Sequence, residues 1–263
     1  MTDRGRRRRF LLVSMTAALM IVVTLAVTTS QSVRVPVVVG AAVLFGFLLL
    51  IVAISKGTKA AANRQASAIA DACAPFGLTY AAFAKIEEKD AAFAPYAHLS
   101  HLRTGGKGLA WMARNPAGEP PLVLLQHRYV VSTGQTTVQV SHTLAAMPCP
   151  TSWPSLALTP EHFGHRIAGM LGKGDLRLEN DEFNKRWFVD ADDEDFAAVL
   201  LSPEMQAWLV GVPKWATFHV GHGQIICAAK KALKPEALAD LVALCEEFAG
   251  LIAPELQAWI RRA

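Results

Sequence analysis

Two stretches of this chain, Phe10–Thr29 and Val35–Ser55, contain no charged side chain, and only the five residues Ser30–Arg34 separate them. Each has about the 20 residues an α-helix needs to cross the hydrocarbon of a bilayer. So short a link permits only an antiparallel return. The sequence therefore predicts a transmembrane helical hairpin, with helices over 10–29 and 35–55 and a short external loop at 30–34. Everything that follows then lies on one side of a membrane.

Charge gives the side. Residues 1–34 carry six arginines against the single Asp3, whereas from Lys56 onward 20 basic residues face 21 acidic ones. Arg4 and Arg6–Arg9 precede the first span, and Lys56, Lys59 and Arg64 follow the second. Lys and Arg are retained in the cytoplasm, so residues 1–9 and the C-terminal part are both expected inside, in the bacterial plasma membrane. Arg8-Arg9-Phe10-Leu11 is similar to a twin-arginine signal, but no A-x-A-like cleavage site follows it. A second full-length span comes directly after, so an uncleaved anchor is expected.

Neither span holds His, Asp, Glu, Lys or Arg, which removes a proton relay, a charged transport path and a histidine-held haem. Ala42 and Gly46 have small-x-x-x-small spacing and would let a second copy approach closely, although small residues are common in such helices anyway. The near-even charge of the C-terminal part, without basic runs, argues against nucleic acid as a partner. The expected partners are the lipid bilayer and a protein, or a second copy of the chain.

The remainder divides into a juxtamembrane helix over 56–76 and a cytoplasmic domain over 77–263. Ala62, Ala66, Ile69, Ala70 and Cys73 recur at helical spacing, and Pro75 with Gly77 ends the pattern. A strand is expected at Leu109–Ala113. Alternation over Val123–Val131 and Val138–Leu144, joined by a polar link containing Gly134, predicts a β-hairpin. Pairing the apolar faces sets Tyr129 opposite Val138, His127 opposite Val140 and Leu125 opposite His142, with the two histidines diagonal and inward.

Leu156–Leu158 is a further strand candidate. Thr159 and Pro160 have the form of a helix N-cap and first position, leading into Phe163, Ile167 and Leu171. Short strands are expected at Leu176–Leu178 and Phe183–Val189, and helices at Glu194–Leu201 and Pro203–Leu209, the second capped by Ser202. Thr217–Ala228 predicts a hairpin turning at Gly221-His222-Gly223, and Pro235 opens an amphipathic helix bearing Leu238, Leu241, Val242, Cys245, Phe248 and Ile252. Strands and helices without regular β-α-β alternation favour an α+β fold, a mixed and largely antiparallel sheet with packed helices.

Six of the eight histidines form three H-x-x-H pairs, His98/His101, His162/His165 and His219/His222. Only the second falls in an expected helix, where that spacing puts two imidazoles on one side. None has the H-E-x-x-H form, and no C-x-x-C supplies further ligands. His127 and His142 differ because the sheet pattern buries them. Satisfaction by neighbours such as Tyr129 is the simpler account, and a shared proton or ligand the sharper one. Cys73, Cys149, Cys227 and Cys245 lack metal or redox spacing and should remain thiols in the cytoplasm. Gly105-Gly106-Lys107-Gly108 lacks the phosphate-loop arrangement and has the composition of a turn. The acidic run Asp190–Asp195 precedes a helix and lacks the calcium-loop glycine. No catalytic, cofactor-binding or metal-binding residue is assigned, and no cofactor is expected.

The string Leu178-Glu179-Asn180-Asp181-Glu182-Phe183-Asn184-Lys185-Arg186-Trp187-Phe188-Val189, followed by Pro203-Glu204-Met205-Gln206-Ala207-Trp208-Leu209, resembles a family of bacterial membrane-anchored proteins of unknown function. Their cytoplasmic domain carries E-x-x-x-F-N-x-x-F-x-V and then P-x-x-M-x-x-L. Glu179, Phe183, Asn184 and Val189 match; Trp187 stands for Phe, and Met205 sits one position nearer to Pro203 than in the family. The resemblance implies the hairpin-then-domain layout and an α+β fold, and it brings no reaction with it. Phe183, Trp187 and Val189 are expected in the core and Asn184 at a turn or cap. The function expected is a non-catalytic accessory, scaffolding or binding module. The alternative is a membrane-tethered hydrolase, histidine-dependent or metal-assisted, using His127, His142 or an H-x-x-H pair.

Overall fold

In a computed structural model, residues 31–83, 92–99, 102, 105–115, 121–132, 134–161 and 176–259 are described. The expected first span at 10–29 lies outside them. Helix α1 runs over Gln31–Cys73, so Gln31–Arg34 are helical rather than loop, and the expected second span and juxtamembrane helix form one element. Among the described residues this is the one helix long and apolar enough to cross a membrane. It ends where expected: Pro75 opens a 3-10 turn at Ala74–Phe76, and Gly77, at φ 66°, closes it by donating its N–H to Ala74 O. The second compact unit begins at Ala66.

That unit is an α+β domain built on one sheet. Its strands are β1 (Thr79–Ala82), β2 (Leu109–Asn115), β3 (Leu122–Ser132), β4 (Thr137–Pro148), β5 (Leu156–Pro160), β6 (Trp187–Ala191), β7 (Ala216–Gly221) and β8 (Gln224–Ala229). Their order is β1-β2-β3-β4-β8-β7-β5-β6, and every pairing is antiparallel. The helices are the short α2 (Asp181–Asn184), then α3 (Glu194–Leu200), α4 (Pro203–Gly211) and α5 (Leu238–Gly250).

Alternation along the strands gives the sheet two buried faces. One packs Trp111, Leu124, Ala145, Leu158, Trp187, Phe218 and Cys227 under α3, α4, α5 and the end of α1. Leu125, Leu144, Ala146, Ile226 and Ala228 look the other way and are covered by Phe93, Tyr96, Leu99 and Leu102. Burying both faces explains why the strands are near-continuously apolar where they cross the middle of the sheet.

Several expectations change. In the β3–β4 ladder Tyr129 pairs with Val140, His127 with His142 and Leu125 with Leu144, two residues away from the expected register. The closing pair is Ser132 with Thr137; the connection is longer than the two-residue link that the expected pairing requires. Thr159 and Pro160 do not start a helix but end β5, where Pro160 pairs with Trp187 of β6. Pairing of β5 with β7 stops at Leu158, so the missing proline N–H breaks no ladder bond. The expected helix carrying Phe163, Ile167 and Leu171 lies outside the described residues. Leu176–Leu178 forms no strand, although the Leu176 N–H donates to Val189 O at 3.2 Å. Phe183 belongs to α2 rather than to a strand, because Asn180 caps that turn by accepting from the N–H groups of Glu182 and Phe183.

Candidate functional site

The inward histidines of β3 and β4 lie on the sheet face covered by Phe93, Tyr96, Leu99 and Leu102. His127 is wholly buried and His142 nearly so. Tyr129 stacks on His142 with ring centroids 6.0 Å apart and leans on His127 at 5.9 Å. Phe93 closes over His127 at 5.3 Å. Burial, then His127, then Lys230 push the pKa of His142 down to about 4. Near neutral pH its imidazole is therefore uncharged. The geometry is that of two rings packed among aromatics rather than two bases presented to a substrate.

None of the three H-x-x-H pairs acts as a unit within the described residues. His101, His162 and His165 lie outside them. His98 instead stacks on His222, ring centroids 4.3 Å apart and planes 24° from parallel. His222 occupies the turn between β7 and β8 with φ 53°, between Gly221 at 119° and Gly223 at 77°. A left-handed backbone at a non-glycine residue is uncommon, and here it aims the ring at His98. Burial and His222 lower the pKa of His98, against an opposing hydrogen bond with the Pro95 backbone. His219, on β7, is driven to about 3 by burial, then His98, then Lys230. The sequence marks these residues but not their choice of partners, which only tertiary pairing decides.

Among the described residues no group of three or more His, Cys, Asp or Glu is placed to hold a metal. The four cysteines are free thiols. Burial raises Cys73 and Cys149 to about 11, Cys245 to about 12, and Cys227 well above its usual value. Such thiols are poor nucleophiles near pH 7. Gly105–Gly108 is a single 3-10 turn leading directly into β2, so it has no helix N-terminus to offer a phosphate.

A different part of the chain forms a cleft that sequence reasoning did not single out. Pro160, Glu182, Lys185, Arg186, Trp187, Val210 and Lys214 line a half-open groove of about 400 Å³. The turn that carries Glu182 is built locally: the Leu178 N–H donates to Asn184 Oδ1 at 3.1 Å, and Asn184 Nδ2 donates to Leu178 O at 2.5 Å. The Trp187 indole donates to Leu209 O at 3.0 Å and fixes α4 against β6. Arg186 donates through one Nη to Val212 O, while its buried Nε has no hydrogen-bond partner. Phe183, Trp187 and Val189 are core residues, at 0%, 1% and 0% exposure. The aromatic string is thus packing rather than an exposed patch. The signal for the groove was Lys185-Arg186, but only the fold brings Lys214 beside it.

No family model matches this chain, and a comparison with curated proteins gave no match. A solved structure, the crystal structure of the mycobacterial trehalose monomycolate transport factor A, aligns over 71% of this chain and 93% of its own, at 11% identity and a TM-score of 0.40.

Proposed function

We propose that this chain is a two-pass protein of the bacterial plasma membrane that holds its α+β domain in the cytoplasm as a non-catalytic accessory or binding module. One observation carries the reading. In α1, Leu44, Phe47 and Ile54 are 71%, 61% and 57% exposed, and the apolar window of this helix is not buried at all inside the protein. Water is a costly surround for so much apolar surface, at about 25 cal/mol per Å²; lipid is not. The arginines before Phe10 and the cations after Ser55 support the orientation. The string from Glu179 to Val189 supports kinship with the membrane-anchored family that it resembles. Packed histidines and protonated thiols make binding a better account of the domain than nucleophilic chemistry. Its partner is another protein at the membrane or a second copy of this chain.

Reporter fusions test the placement. A fluorescent protein at the C-terminus should glow and an alkaline phosphatase there should stay inactive; the reverse result overturns the topology. Affinity purification from membranes in mild detergent tests the role, with a co-eluting chain expected. Turnover of a small molecule with nothing co-eluting overturns it.

A further inference from the structure

We infer that the groove beside β6 is a binding site for a small organic phosphate, the phosphoryl group held by Lys185, Arg186 and Lys214 and the organic part lying against Val210. The inference deepens the binding-module reading and rests on it.

Charge comes first. Three cations and one carboxylate, Glu182, line the groove, leaving an excess of two positive charges that matches a phosphomonoester dianion. These residues come from different parts of the chain, the turn after α2 and the loop after α4, so the fold itself converges them.

Arg186 supplies the geometry. One of its Nη groups donates to Val212 O. A planar guanidinium matches phosphate geometry better than a point charge does, and the two lysines add charge from the rim. Lys185 and Lys214 are both exposed, so a ligand reaches them without any rearrangement.

The walls set the size and character of the rest of the ligand. About 400 Å³ lies in the range of small-molecule sites. Val210 gives it an apolar edge, and Glu182 offers an acceptor for a ligand hydroxyl.

The test uses the full chain in detergent micelles and isothermal titration with three probes: glucose 6-phosphate, dihexanoyl phosphatidic acid, and glucose. Saturable binding of either phosphate ester, with none of glucose, is expected; which ester binds more tightly separates a soluble ligand from a lipid headgroup. The double variant Lys185→Gln/Lys214→Gln should weaken that binding at least tenfold without moving the urea midpoint. Arg186→Lys should also weaken it, because the fork is lost while the charge remains. Failure of both esters to bind, or unchanged affinity in the double variant, overturns the groove and leaves the accessory reading standing. Release of inorganic phosphate from a bound ester would uphold the groove and overturn the non-catalytic reading.

Discussion

His127 of β3 stands directly opposite His142 of β4, so that two imidazoles share one rung of the ladder inside the sheet's second buried face. A rung of this kind is comfortable only while its members are uncharged. A proton on His142 must be accommodated beside His127 and Lys230, away from water.

Acid should therefore unfold this domain earlier than its carboxylates alone require. The pKa of His142 falls from 6.5 in the unfolded chain to about 4 in the folded one. Between those values the unfolded state binds more protons, so stability is intact above about pH 6.5 and is lost as pH falls towards 4. One such histidine contributes a slope of about 1.4 kcal/mol per pH unit across that window. Urea unfolding of the full chain from pH 7.5 to 4.5 should show the decline, and His142→Gln should flatten it. An identical pH dependence in the variant would refute the assignment.

Gly221 and Gly134 provide a paired test of backbone constraint. A Cβ at Gly221 would lie 2.9 Å from Ser155 Cα and 3.0 Å from Pro154 O, on a φ of +119°. Gly134, at +85°, has open space around it. Gly221→Ala should cost about 3 kcal/mol or more, from strain and overlap together. Gly134→Ala should cost about 1 kcal/mol, from strain alone. Denaturation midpoints measured side by side decide the order.

Trp153 pins the C-terminal segment. Its indole donates to Leu256 O at 2.7 Å, and Phe196 sits between its ring and that of Trp259, with centroids 5.7 Å and 5.5 Å away. Trp153→Phe keeps most of the apolar volume but removes the donor, at a cost of about 1–2 kcal/mol. Hydrogen exchange should rise over 254–259 while β3 and β4 remain protected.

Asn184 and Asn180 divide the work of shaping the turn before β6. Asn180→Ala removes a cap and should cost about 1 kcal/mol. Asn184→Ala removes two bonds to the Leu178 backbone and should cost about 1–2 kcal/mol. Thermal melts of both variants check the ranking.

Local chemistry was legible wherever it alone decides the structure. The stop after Cys73, the Ser202 cap of α4, the β7–β8 turn at Gly221–Gly223 and the apolar stripe of α5 all follow from residues within a few positions of one another. Reading went astray where the decisive partner is distant. Pro160 imitates a helix start, but Trp187 claims it as a strand partner. The β3–β4 register slipped by two because alternation repeats every second residue and fits either pairing equally well. The candidate groove was invisible for the same reason: Lys214 lies far in sequence from Lys185, and nothing nearby announces their meeting.

The middle of the sheet is stitched between Thr143–Pro148 and Gln224–Ala229, segments that leave the ribosome far apart in time. Until β8 arrives, β4 is a raw margin with unpaired amides, and α1 has long since emerged. Synthesis thus imposes a waiting period in which a greasy anchor is ready and the sheet is half made. A chain stalled before Gln224 would expose that margin to its neighbours, which makes this seam the place where aggregation of nascent or shortened forms should begin.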